Sequence, residues 1–258
     1  MIEFFDSHAH YNDQQYDNDR DELIKKMYNE GITKIIVAGN NVETTKSAIA
    51  LAEKYEHIYA TAGIHPDDIE NISSDLVEIE KLAKHPKVVA IGEIGLDYYH
   101  TKDNKDKQKE AFAKQIEIAN RLELPIVIHS RDAYIDTISV LKDIISPIKK
   151  GVFHCCQLNM ELIKEALALG FNISFAGPVT FKNSKNVKEC LDLIPLDRLQ
   201  IETDAPYLSP EPYRGTRNNS INMKITAQKI ADMKEISLEK IAMVTYENTL
   251  RLFEKIKK

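Results

Sequence analysis

The sequence predicts an α/β protein, a closed barrel of eight parallel strands each followed by a helix. Three observations carry this, the first two being eight short runs rich in Ile and Val and the longer segments between them with helical spacing of apolar and charged residues. Strands that are apolar almost throughout must be covered on both faces, which is the condition of a parallel sheet flanked by helices. The third observation is length. A chain of 258 residues with no Gly/Ser- or Pro-rich linker suits one such barrel, so a single (β/α)8 TIM-type domain over residues 1–258 is expected.

In chain order, a first strand from Ile2 to Ser7 precedes a helix from Arg20 to Glu30. The Lys-Ile-Ile-Val-Ala run, Lys34 to Ala38, is the second strand, and Val42 to Tyr55 the helix after it. Tyr59 to Gly63 and Val88 to Gly92 are the third and fourth strands, with helices at Asp75 to Lys84 and Asp106 to Leu122. Pro125 to His129, Gly151 to His154 and Asn172 to Phe175 follow, alternating with helices at Tyr134 to Ile144, Met160 to Leu169 and Ser184 to Leu193. Leu199 to Thr203 is the eighth strand, and two helices, Asn222 to Met233 and Leu238 to Phe253, close the chain. The loop from Pro206 to Asn219 is long and polar, with three prolines. No G-x-G-x-x-G or G-x-x-x-x-G-K-[ST] pattern follows any strand, which removes the usual dinucleotide and P-loop readings.

Composition narrows the function classes. A 43% hydrophobic and 29% charged chain can bury a large core, and its net charge of -6 offers no overall attraction to polyanions or anionic membranes. A nucleic acid would have to be held by a local basic patch or by metal ions. The three cysteines are too few for a disulfide framework and point to a reducing cytoplasm. No apolar stretch approaches the ~18 residues of a membrane span, and Met1-Ile2-Glu3-Phe4-Phe5-Asp6 has no export-signal pattern.

Polar residues fall at strand ends. His8 and His10 end the first strand, where alternation of faces turns both the same way. His65 follows the third strand, Glu93 ends the fourth, His129 the fifth, His154 the sixth and Asp204 the eighth. All are carboxyl ends, which converge on the face where barrel active sites are built. His57 and His85 belong to surface connections at the opposite end, and His100 lies on the correct side without joining the set. Four histidines and two carboxylates form a mixed nitrogen and oxygen set suited to Zn, Mn, Fe, Co or Ni, with Mg also usable. One ion seldom takes six protein ligands and stays open, so two divalent ions are expected. Glu93 would bridge them, with His8, His10 and Asp204 on the first and His129 and His154 on the second. Asp204 would take the proton of the attacking water.

The same residues lie in a series of motifs: Asp-Ser-His-Ala-His at 6–10, Gly-Ile-His-Pro at 63–66, Gly-Glu-Ile-Gly-Leu-Asp-Tyr at 92–98, Ile-His-Ser-Arg at 128–131, Phe-His-Cys at 153–155, Val-Thr-Phe-Lys-Asn at 179–183 and Glu-Thr-Asp-Ala-Pro-Tyr-Leu at 202–208. In this order, across nearly the whole chain, they resemble the TatD family of metal-dependent deoxyribonucleases, with an amidohydrolase type of barrel. The resemblance implies a two-metal hydrolase that cuts phosphodiester bonds, often as a 3′→5′ exonuclease on single-stranded DNA. Its metal ligands coincide with those assigned above. Cys156-Gln157-Leu158 stand where the family usually has Phe-Ser-Gly, and Asn219-Ser220 where it has Glu-Pro, which bears on loop shape and substrate preference.

Arg131, Arg214 and Arg217 lie on the metal-bearing side and suit an anionic substrate, since a guanidinium can bind phosphate through two parallel hydrogen bonds. His65 would donate to a phosphate oxygen or leaving group. Tyr98, Tyr99, Tyr207 and Phe181 occupy the same loops and could stack on bases. A monomer is expected. The rival reading is a small-molecule amidohydrolase or lactonase with the same metals, against which Glu93 stands where many such relatives use a carboxylated lysine; a barrel that binds without catalysis has no need of the ligand set.

Overall fold

The structure is a computed structural model and describes residues 2–144 and 150–256. Its strands are β1 (Phe4–Ala9), β2 (Ile32–Val37), β3 (Ile58–Ala62), β4 (Val88–Asp97), β5 (Ile126–Arg131), β6 (Gly151–Phe153), β7 (Asn172–Phe175) and β8 (Leu199–Ile201). They form one eight-stranded sheet in chain order, every pair parallel. Among the described residues the helices are α1 (Arg20–Asn29), α2 (Val42–Lys54), α3 (Ile72–Leu82), α4 (Lys105–Leu122), α5 (Tyr134–Ile144), α6 (Met160–Ala168), α7 (Val187–Leu193), α8 (Met223–Lys234) and α9 (Leu238–Leu252). The expected (β/α)8 barrel is what the chain forms. No helix among the described residues is long and apolar enough to cross a membrane.

The barrel closes between β1 and the end of β8, where the Asp204 amide donates to the His8 carbonyl at 3.0 Å and the His10 amide to the Ala205 carbonyl at 2.6 Å. Asp6 fastens this seam from a fully buried position. It accepts from the Thr203 amide at 3.0 Å and from the Thr203 and Ser220 hydroxyls at 2.6 Å each. Burial pushes its carboxyl up to about 7, although the Ser220 and Thr203 hydrogen bonds pull the other way.

Inward-facing side chains explain where the site sits. Low in the barrel, Phe5, Ile36, Val89, Val127 and Val152 pack against Phe253 and Ile256 from the end of the chain. Each such buried side chain stabilises the fold by roughly 1.5–3 kcal/mol. His129 lies two residues beyond Val127, and His154 two beyond Val152, so both continue the same inward columns one rung higher. The apolar rung makes the floor of the polar one.

Several element ends differ from the sequence reading. β4 does not stop at Gly92 but runs on to Asp97, paired with β5 as far as Asp97↔Arg131 beyond a register shift between Ile91 and Ile94. Glu93 is therefore mid-strand, not at a strand end. Gly95 makes the continuation possible: its φ is +145°, and a Cβ there would overlap the His129 carbonyl oxygen on β5. β1 is shifted to Phe4–Ala9, which puts His8 inside the strand. α3 starts at Ile72, earlier than expected, and α7 at Val187, later, because Ser184 is tied back in a turn to Pro178 and Phe181. His57 and His85 are at the opposite end of the barrel, each partly exposed. The His57 ring packs between Tyr28 and Tyr55, and His85 meets Glu53 at 3.2 Å.

Candidate metal centre

Glu93 is the residue around which the site is built. Its carboxylate is almost wholly buried and offers its two oxygens in different directions. Oε2 lies 3.3 Å from His8 Nε2 and 3.7 Å from His10 Nε2. Oε1 lies 2.7 Å from His154 Nε2 and 2.9 Å from His129 Nδ1. Asp204 completes the first group, its Oδ1 standing 3.2 Å from His10 Nε2 and 3.7 Å from His8 Nε2. All six residues expected as metal ligands are thus gathered around one carboxylate.

The donor set fits divalent ions. With zinc-to-nitrogen bonds of ~2.0–2.1 Å, the corners of a tetrahedron are about 3.3 Å apart. The His8, His10, Glu93 and Asp204 donor atoms are separated by 3.2–3.7 Å where their contacts are measured. On the other side, His129 Nδ1 and His154 Nε2 stand 3.2 Å apart with Glu93 Oε1 between them. Cys155 and Cys156 line a recess that His129, His154 and Asp204 also line, and burial pushes both thiols up.

Electrostatics favour a cation here. Burial would raise the Glu93 carboxyl, but the charge on His154 and hydrogen bonds from His129, His154 and His8 outweigh it and hold the group well below the carboxylate range. Burial likewise opposes charge on His154, and the carboxylates of Glu93 and Glu202 reverse it, holding the imidazole well above its ordinary value. For His8 burial and the nearby His154 charge prevail, and its affinity for a proton is lowered.

A ring of supporting residues escaped the sequence reading. Asp97 Oδ2 meets His129 Nε2 at 3.0 Å and leaves Nδ1 as the atom turned to Glu93. Glu202 Oε1 meets His154 Nδ1 at 3.2 Å and accepts from the Cys155 amide at 2.7 Å, leaving Nε2 to face Glu93. Such partners set the tautomer and aim of a ligating imidazole. Two fully buried glutamines of α4 grip the loops: Gln108 pairs with both backbone groups of Asp97, and Gln115 with both of Ile64, next to His65. A sequence signal existed only for Asp97, which follows Glu93 by four residues along β4; Glu202 lies beyond the end of β8 and carries none. Glu202→Gln is expected to weaken metal binding about 10–100-fold with the fold retained; titration of the stripped variant with Mn or Zn measures this, and wild-type affinity would show that the His154 contact is not needed.

The expected substrate residues are placed unequally. His65 is not apart from the metal groups: its Nε2 is 3.7 Å from Glu93 Oε1, and its ring meets that of His129 edge-on. Its Nδ1 accepts from the Asp67 amide, and burial together with the charge of His129 lowers it to about 4, so the neutral ring carries its proton on Nε2, facing the site. Arg131 stacks its guanidinium on Tyr99 at 4.1 Å, and that side chain makes no hydrogen bond among the described residues. Arg214 stacks on Phe181 and donates to Asn183. Arg217 departs from the expectation. It pairs with both oxygens of Asp19, donates to the Gln15 carbonyl and stacks on Tyr16, so its fork pins the Pro206–Asn219 loop against the start of α1.

A family model described as TatD related DNase matches residues 5–254. An uncharacterized metal-dependent hydrolase, YabD of Bacillus subtilis, is 46% identical over 250 residues, covering 96% of this chain and 98% of its own. The 3'-5' ssDNA/RNA exonuclease TatD of Pectobacterium parmentieri is 31% identical, with 96% and 98% covered. Among solved structures, YJJV, a TatD homolog from Escherichia coli, superposes with a TM-score of 0.93 at 26% identity, covering 98% of each chain.

Proposed function

The chain belongs to the TatD family of metal-dependent hydrolases, and from that premise we propose that it removes nucleotides from the 3′ ends of single-stranded DNA. One observation carries the reading: a single buried carboxylate, Glu93, turns one oxygen to His8 and His10 and the other to His129 and His154. Two divalent ions are the occupants this arrangement suits, the first held by His8, His10, Glu93 and Asp204, the second by Glu93, His129 and His154. Bound there, such ions supply Lewis acidity toward phosphoryl oxygens and ease the ionisation of water.

The protein's own groups then divide the work. Asp204, whose left-handed backbone at φ 55° sets its carboxylate beside His10, accepts the proton of the attacking water. His65 donates from Nε2 to the phosphate or to the departing oxygen. Arg131, free of any acidic partner among the described residues, binds the strand's phosphate. Arg214 binds it further out, while Arg217 acts by holding the loop. A single barrel domain carries the whole activity, and the protein acts as a monomer. Three free cysteines accord with a cytoplasmic protein.

The relative named as an exonuclease supports DNA or RNA as the substrate class. The test is end-labelled single-stranded DNA given to metal-stripped protein with Mg, Mn, Co or Zn in turn, beside a panel of lactones and amides. A ladder shortened from the 3′ end is expected with at least one metal and none with chelator. DNA left intact with every metal, while a lactone is opened, would transfer the site to small-molecule chemistry.

A further inference from the structure

Beside the donor cluster lies a recess of about 380 Å³ that the proposed chemistry leaves unused. One side is formed by His129, His154 and Asp204, which belong to the hydrolytic site. The opposite wall is apolar, with Phe175, Ala176 and Val179 buried and Leu158 and Leu208 half-buried. A phosphodiester is anionic and gains nothing from such a wall. The volume is also large for a phosphate alone, being within the range that holds a small organic ligand. The shape calls for a group with apolar faces, joined to a phosphate that reaches the donors.

We propose that this recess seats the base of the 3′-terminal nucleotide, with Leu158, Phe175 and Val179 against its face and Gln157 at its edge. The assignment rests on the exonuclease reading above. Gln157 is braced for such a role: its Oε1 accepts from the Asp132 amide at 3.3 Å and its Nε2 donates to Asp132 Oδ1 at 3.4 Å, leaving a second amide proton for a base edge. Arg131 stands at the same opening, where the phosphate joining the terminal nucleotide to the strand would pass. Contact with the base face is tolerant of sequence, because every base has one. The recess therefore selects for the presence of a base and only weakly for its identity.

The experiment compares two single-stranded oligonucleotides that differ only at the 3′-terminal residue, a normal nucleotide in one and an abasic tetrahydrofuran residue in the other. With metal-loaded full-length protein, kcat/KM for loss of the terminal residue is expected to be about tenfold or more higher for the normal end. In Leu158→Trp, which fills the recess, that ratio falls toward one; Leu158→Phe is the smaller filling should the tryptophan variant melt early. Equal release from both ends by the unaltered protein overturns the base site alone, as does a ratio unchanged in folded Leu158→Trp and Leu158→Phe. Release from neither end removes the exonuclease reading, and this assignment with it.

Discussion

Glu93→Gln is expected to lower hydrolysis by about 10³-fold or more while leaving the far-ultraviolet circular dichroism of the barrel unchanged. Two losses combine. Glutamine offers one neutral oxygen where glutamate offers two charged ones, so the groups at His8 and His10 and at His129 and His154 no longer share an acceptor. Even partners one step removed from a metal change affinity ~10–100-fold, so loss of a shared direct ligand is expected to exceed that. The ions so weakened are also what would ease ionisation of the attacking water and offset charge on the phosphoryl oxygens, so turnover falls with occupancy. Metal content measured after dialysis should fall below that of the unaltered protein in step with turnover. Undiminished hydrolysis in a folded, correctly sequenced variant would falsify the bridging role.

Asp204→Asn is expected to reduce kcat by about 10²–10⁴-fold, the usual contribution of a positioned general base, or roughly 3–5 kcal/mol. The change nearly preserves shape, and the backbone stays tied to His8 through the Asp204 amide. The two proposed roles separate experimentally. If Asp204 served only as a ligand, saturating metal would restore kcat; as a proton acceptor it leaves kcat low at any metal concentration. Full rescue by excess Mn would move the base to another group.

Much of this was legible because periodicity is local. Runs such as Val88-Val89-Ala90-Ile91 declare buried strands, and eight of them separated by helical segments leave few ways to cover every face. The gathering of the donor side chains was legible for a related reason. A barrel brings all carboxyl ends of its strands to one face, so chain order alone predicted that His8, Glu93, His154 and Asp204 would meet. The extension of β4 past Glu93 was not legible, since Glu93 and Gly95 do not look like strand interior; it exists because β5 offers a paired edge as far as Arg131.

The supporting residues show a different limit. Asp97, Glu202, Gln108 and Gln115 are polar side chains with little to distinguish them from surface residues in the sequence, yet all are buried. Their partners are far away in the chain: Gln115 holds the backbone of Ile64, and Glu202 holds His154. Arg217 went the other way, since its nearness to Asp204 in the chain pointed to substrate, while its side chain is committed to Asp19.

The sequence by itself determined the architecture, the family resemblance and which side chains would gather, because strand alternation and barrel closure convert linear order into position. Only the tertiary structure decided which atoms face one another. That Glu93 divides its oxygens between two pairs of histidines, that His129 turns Nδ1 and His154 turns Nε2 inward, and that an apolar wall stands beside them depend on contacts between residues tens of positions apart. Such contacts join different strands, and local propensity does not encode which atoms of distant segments will meet.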